Sequence, residues 1–278
     1  MKFRYILFVL FAPGLITSCG DGRTCSVGDI ESVGDCSLTN SPQIEFADNM
    51  ADSEGYIRLF DGKSLKGWRG YNDNKIPSNW NVENGILKLV AHPTYKNQAR
   101  GDLIFTRKFR NFELSLDWMV AEGSMSGVLY LVNEINGLPI NAVSPKCQII
   151  DDNNHPEAKN DQEGKHRSCA LYEMMAPNLA KSRPSGNWNT TKIRVNNGNV
   201  EHYLNGTLVL NYTLWTPQWE EMLASSCFNQ DTWPEAHEQL MNCGGPSHEG
   251  YIGLQDLGSE VWFRNIKIKV LDPVAQNF

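Results

Sequence analysis

The chain has 278 residues, with 25 basic and 32 acidic side chains and a formal net charge of −7. That acidic balance argues against nucleic acid as a partner. At 41% hydrophobic and 10% aromatic the chain can bury a core, which argues against disorder, and its length suits one large all-β domain or two small ones.

Residues 1–19 read as a targeting segment. Lys2 and Arg4 form a basic start, and Tyr5 to Phe11 an apolar run too short to span a bilayer as a structural helix. Ile16-Thr17-Ser18-Cys19 resembles a bacterial lipoprotein cleavage box. The resemblance implies lipidation of Cys19 and a location in the cell envelope, periplasmic or outer-membrane, with the lipid as the membrane contact. Ordinary secretion with cleavage elsewhere is the alternative. Residues 20–55 are rich in Gly, Ser, Asp and Asn and show no periodicity, so a flexible tether is expected ahead of a domain over residues 56–272. Six cysteines remain: Cys25, Cys36, Cys147, Cys169, Cys227 and Cys243. An even number permits disulfides in an oxidising compartment. Cys25–Cys36 and Cys227–Cys243 are the local pairs expected.

The domain reads as a series of short strands. Asn84-Gly85 separates two apolar runs, Trp80 to Glu83 and Ile86 to Val90, which predicts a hairpin. Gly101 to Thr106 is a further short strand. Phe112 to Val120 alternates strictly, as a strand with one face in the core must. Gly127 to Val132 is continuously apolar and suits the middle of a sheet. Lys192 to Val195, Val200 to Leu204 and Leu208 to Tyr212 form a meander turning at Asn197-Gly198 and Asn205-Gly206. Residues 213–249 break the pattern with a helical insertion. Thr216-Pro217 opens one helix, and Thr232-Trp233-Pro234-Glu235 reads as a capping box opening another. Tyr251 to Leu254 and the alternating Ile266, Ile268 and Val270 close the chain. This order predicts an all-β sandwich.

Chemistry concentrates in residues 146–173. Cys147 to Asp151 reads as a strand, with Gln148 and Ile150 on one face and Asp151 on the other. A polar loop containing His155 follows, then Arg167, then Tyr172 and Glu173. Strand-end carboxylates beside a polar loop are a common place for catalysis, although Asp and Asn also serve simply as turn residues.

Gly-Tyr-Ile-Gly-Leu-Gln255-Asp256-Leu-Gly, followed by Val-Trp-Phe-Arg-Asn-Ile, resembles the end of the 3-keto-disaccharide hydrolase family. The opening Leu-Phe-Asp-Gly-Lys-Ser-Leu-Lys-Gly-Trp at residues 59–68, His155-Pro156-Glu157-Ala158-Lys159, Gly186-Asn187-Trp188-Asn189 and His202-Tyr203-Leu204-Asn205-Gly206 extend the likeness. The resemblance implies a concanavalin-like jelly roll acting on 3-keto sugars. In such a substrate the C2 proton beside the carbonyl is acidified. A base removes it, the aglycon leaves C1 and water adds; alternatively, water attacks C1 directly with paired carboxylates. Asp151 is the expected base, Glu173 the second carboxylate, His155 an acid, and Arg167 the stabiliser of charge on the ketone oxygen. Gln148, Tyr172, Trp188, Gln255 and Asp256 are expected to hold the sugar. The chain departs from the family pattern at Lys146, where a Glu is usual, and at Leu257, Met125 and Ala170. Lys146 is expected to pair with Asp151 or Glu173. These departures leave a non-catalytic carbohydrate-binding lipoprotein, or a structural envelope module, as alternatives. No cofactor is implied; Ca²⁺ suits such sandwiches, but no loop here spells out a site.

Overall fold

A computed structural model describes residues 51–91, 101–178 and 181–272. Cys19, Cys25, Cys36 and nearly all of the expected tether lie outside them.

The Asn-Gly turns behave as their chemistry requires. Asn84 and Gly85 have φ of 52° and 80°, the paired left-handed conformations that a tight hairpin demands. They join β3 (Trp80–Glu83) to β4 (Ile86–Leu89), with Glu83 opposite Ile86. Asn197-Gly198 and Asn205-Gly206 do the same between β9 (Asn189–Asn196), β10 (Asn199–Leu204) and β11 (Thr207–Thr213). In β6 (Phe112–Val120) every second residue is buried. It lies between β9 and β13 (Val261–Val270). The β13 register shifts between Arg264 and Lys267, where Asn265 takes φ 52°. Beyond this bulge Ile266 and Ile268 point inward.

Two antiparallel sheets result. The larger has eight strands in the order β11-β10-β9-β6-β13-β4-β3, with β1 (Ile57–Arg58) also pairing β13. The smaller runs β2 (Trp68–Gly70), β5 (Leu103–Phe105), β12 (Tyr251–Leu254), β7 (Met125–Val132) and β8 (Lys146–Ile150). Leu114, Leu116 and Trp118 from one sheet and Val128, Tyr130, Cys147 and Ile149 from the other share a single core, so the expected sandwich forms. Each fully buried aliphatic or aromatic side chain contributes roughly 1.5–3 kcal/mol. Trp68 anchors the opening motif by donating its indole N–H to the Leu59 carbonyl at 2.7 Å.

The other face of the small sheet carries a second apolar cluster. Ile104, Leu129 and Val132 lie under Ile140 and Val143, supplied by a 3-10 turn, Ile140–Ala142, and its flank.

The insertion contains α2 (Pro217–Ala224) and α3 (Pro234–Met241). Thr216 caps α2, accepting the Trp219 N–H at 3.3 Å. The second capping box does not form. Trp233 occupies the N-cap of α3, and the Thr232 N–H is captured by the Asn229 side chain at 2.9 Å. The Cys227–Cys243 disulfide is also absent. Cys243 is buried beneath Trp215, whose indole donates to the Cys243 carbonyl, while Cys227 is exposed, and both are free thiols.

Candidate active site

Strand register assembles the site from residues distant in sequence. Gly127 lies opposite Gln148, and the Gln255 N–H donates to the Gly127 carbonyl at 2.9 Å. Leu254 pairs Leu103, which sets Asp102 beside Gln255. Asp102, Gln255, Gly127 and Gln148 thus form a row across β5, β12, β7 and β8, on the face turned away from the core. Gln148 is wholly buried, and neither its amide oxygen nor its amide nitrogen has a hydrogen-bond partner. The Gln255 oxygen is likewise buried and unpartnered, while its Nε2 lies 3.4 Å from Asn141 Oδ1. Three such atoms in one row are costly, at about 1–3 kcal/mol each. Buried amides in folded proteins are almost always satisfied by protein, water or ligand.

Lys146 precedes Gln148 by two residues and shares its face. Its stem crosses the row at Gly127: a Cβ there would sit 2.6 Å from Lys146 Cδ. Any side chain at 127 would force that stem aside. Lys146 is 5% exposed, and its Nζ rests 3.4 Å from the centroid of the Tyr172 ring. Among the described residues it makes no ion pair or hydrogen bond, so the expected partnership with Asp151 or Glu173 is replaced by a cation–π contact. Burial pulls its pKa down to about 8, against the opposing fields of Glu157, Glu173 and Asp102.

Asp102 was not singled out in the sequence. Its carboxylate accepts the Asp256 N–H at 2.7 Å. Burial, reinforced by the charge of Asp256 but opposed by that hydrogen bond and by Lys146, pushes its pKa up to about 7.

Beyond Tyr172 a cleft of about 670 Å³ opens to solvent, lined by Glu157, Lys165, His166, Glu173 and Cys227 among others. Tyr172 lies between Lys146 and the His166 ring, 5.2 Å away. Its phenol pKa is raised, by burial first and then by Glu157. Glu173 holds φ 67°, with Oε1 3.0 Å from His166 Nε2 but out of line for a hydrogen bond. No group of three or more His, Cys, Asp or Glu among the described residues has the arrangement a metal ion needs.

Residues 55–269 match the family described as 3-keto-alpha-glucoside-1,2-lyase-like domain. The chain belongs to this family. It is 40% identical to a 3-keto-disaccharide hydrolase of Bacteroides thetaiotaomicron, over 98% of this chain and 99% of that one. Two crystal structures from Parabacteroides distasonis, provisionally described as glycosyl hydrolases, share its fold. One is 29% identical with a TM-score of 0.66, covering 79% of this chain and 95% of its own. The other is 28% identical with a TM-score of 0.57, covering 78% and 99%.

In this member of the 3-keto-α-glucoside-1,2-lyase-like family the remaining sequence-derived candidates scatter. Asp151 is 2% exposed and accepts from Gly123 N, Asn154 Nδ2 and Asn153 N at 2.9, 2.8 and 3.1 Å. Burial alone would raise its pKa, but these donors outweigh it and hold the carboxylate below its ordinary range. Asp151 thus closes a turn instead of facing the row. His155 caps α1 (Pro156–Asn160), its Nδ1 accepting the Glu157 N–H at 3.1 Å. Burial lowers its pKa, which suits that acceptor role. Arg167 is exposed. Trp188 stacks under the Arg264 guanidinium, 4.0 Å away, beside the large sheet. Asp256 is fully buried, accepting from Asn79 Nδ2, Gly258 N and Gly101 N at 2.7, 2.8 and 3.1 Å. It ties three loops behind the row. Gln148 and Gln255 are the two candidates that the fold brings together, with Tyr172 beside Lys146 and Glu173 on the cleft.

Proposed function

We propose that the chain is a glycosidase-like enzyme that cleaves the C1–O bond of 3-keto-glycosides or 3-keto-disaccharides. The observation that carries this reading is the row of unpartnered amides at Gln148 and Gln255, a buried, rigid set of donors and acceptors suited to sugar hydroxyls. The carbonyl at C3 acidifies the C2 proton. Asp102 takes that proton, because a carboxyl with a pKa near neutrality is the most effective base at neutral pH. The C2 carbanion is delocalised into the ketone, the aglycon oxygen leaves C1 with a proton, and water adds to the resulting double bond. Glu173, on the cleft wall, supplies the leaving-group proton. Asp151, His155 and Asp256 hold the frame. Family membership and the 3-keto-disaccharide hydrolase relative support this reading. We place the protein in the cell envelope, lipid-anchored through Cys19.

Purified protein assayed on 3-keto-trehalose and on 3-keto-glucosides should release free sugar or aglycon. Asp102→Asn should lower kcat by about 10²–10⁴-fold, the range for a lost general base. Absence of turnover on every keto-glycoside overturns the reading. A second reading, carbohydrate binding without catalysis, is favoured by Lys146 standing where a carboxylate is usual. Calorimetric binding of a keto-glycoside with no product would establish it.

A further inference from the structure

We propose that Lys146 is a covalent catalyst, its amine condensing with the ketone of the substrate to form a Schiff base. The inference rests on the keto-glycoside reading for the identity of the ketone. Its geometric basis is independent. Lys146 crosses the row at the one position that lacks a side chain, between the two glutamines, and its amine ends against the face of Tyr172. Buried lysines are normally paired with a carboxylate. Here the amine rests on an aromatic face instead, and among the described residues no carboxylate lies within ion-pair distance of Nζ. An amine so placed is neither neutralised by a salt bridge nor washed by bulk solvent. Burial also makes it easier to deprotonate, and a neutral lone pair is what attack on a carbonyl requires.

The step balances without any oxidant. The Nζ lone pair forms a bond to C3, the carbonyl oxygen takes two protons and leaves as water, and an iminium remains. That cation acidifies the C2–H bond more strongly than the ketone does. The C2 proton passes to the Asp102 carboxylate and its electron pair forms the enamine. The enamine then expels the aglycon oxygen from C1, which leaves with a proton, and C1=C2 forms. Water returns to C3, releasing the unsaturated ketone and the free amine. The water lost in the first stage is regained in the last.

The test is reductive trapping. Sodium cyanoborohydride reduces iminium ions in preference to ketones near neutral pH. Full-length protein is incubated with it and either 3-keto-trehalose or 1,3-dihydroxyacetone, a ketone with no glycosidic bond, then digested and weighed by mass spectrometry. The expected result is one reduced adduct per chain on the peptide carrying Lys146, from both ketones, with trapping that accelerates as pH rises through 8. Lys146→Arg, which keeps the charge and length, should lose the adduct and roughly a hundredfold or more of turnover. The wild-type peptide map stands even if the variant misfolds. Turnover of keto-glycoside with Lys146 unlabelled overturns the Schiff base and leaves the glycosidase reading intact. Labelling by dihydroxyacetone without keto-glycoside turnover keeps the reactive amine and removes the glycosidase reading. No adduct from either ketone overturns the proposal.

Discussion

Asp102 illustrates how a single carboxyl can trade stability for reactivity. Unfolded, it titrates near 3.8; folded, near 7. The native state therefore binds more protons than the unfolded chain between those values. Its contribution to stability is fully present below about 4 and is lost as pH rises through about 7. Asp102→Asn cannot ionise and can still accept the Asp256 N–H. The variant should accordingly gain on the parent between pH 4 and 8, by on the order of 2 kcal/mol, less than the full shift implies because the carboxyl retains solvent contact. Urea melts at pH 5 and pH 8 measure the difference; a gap that shrinks with pH would contradict it. The same substitution should lower turnover by the factor expected for a lost general base. Nothing in the sequence marked Asp102, because it precedes a strand of only three residues and its hydrogen-bond partner Asp256 arrives from 154 positions away. The motifs carried Gln148 and Gln255, which the fold sets in one row, and also Asp151, which the fold places in a turn. A carboxylate at a strand end looks alike whether it faces a cavity or three backbone and amide donors.

At the scale of elements, the hairpins were readable because Asn-Gly encodes the turn locally, and β6 because its alternation is unbroken over nine residues. The caps were not equally readable. Thr216 and Thr232 each precede Trp or Pro in similar surroundings, yet one caps and the other yields its N–H to Asn229. Thr216→Ala should cost about 1 kcal/mol and Thr232→Ala less than about half of that. Thermal denaturation of the two variants side by side decides the matter; equal losses would mean that the Thr216 hydroxyl is not the stabilising group. The Cys227–Cys243 pair failed for a related reason. Sequence proximity across α3 says nothing about which sulfur turns inward.

Across the whole molecule the two sheets divide the labour, with the shared core holding the frame and the small sheet's outer face carrying the polar row. Within that core His202 joins both sheets. Its Nδ1–H donates to the Cys169 carbonyl at 3.1 Å, since a carbonyl can only accept, so Nε2 must accept the Tyr130 hydroxyl at 2.8 Å. Tyr130 in turn meets the Tyr212 hydroxyl. Burial depresses the His202 pKa to about 4 from 6.5, so the folded ring stays neutral where the unfolded one is already charged. Stability from this group is present above 6.5 and is lost as pH falls through 4, by up to about 3 kcal/mol. His202→Asn keeps a donor towards Cys169. It should be less stable at pH 7 yet show a flatter profile between pH 6.5 and 4, as chemical denaturation across that range would reveal.

Gly127 and Lys146 occupy one volume between them, because the lysine stem passes where a methyl group would stand. A side chain at 127 therefore requires the stem at 146 to shorten or swing aside, whereas 146 can change above the bare glycine. In descendants of this chain, or in a selected library, a side chain appearing at 127 should arrive together with a shorter or differently directed residue at 146, and the long amine should survive only above bare backbone.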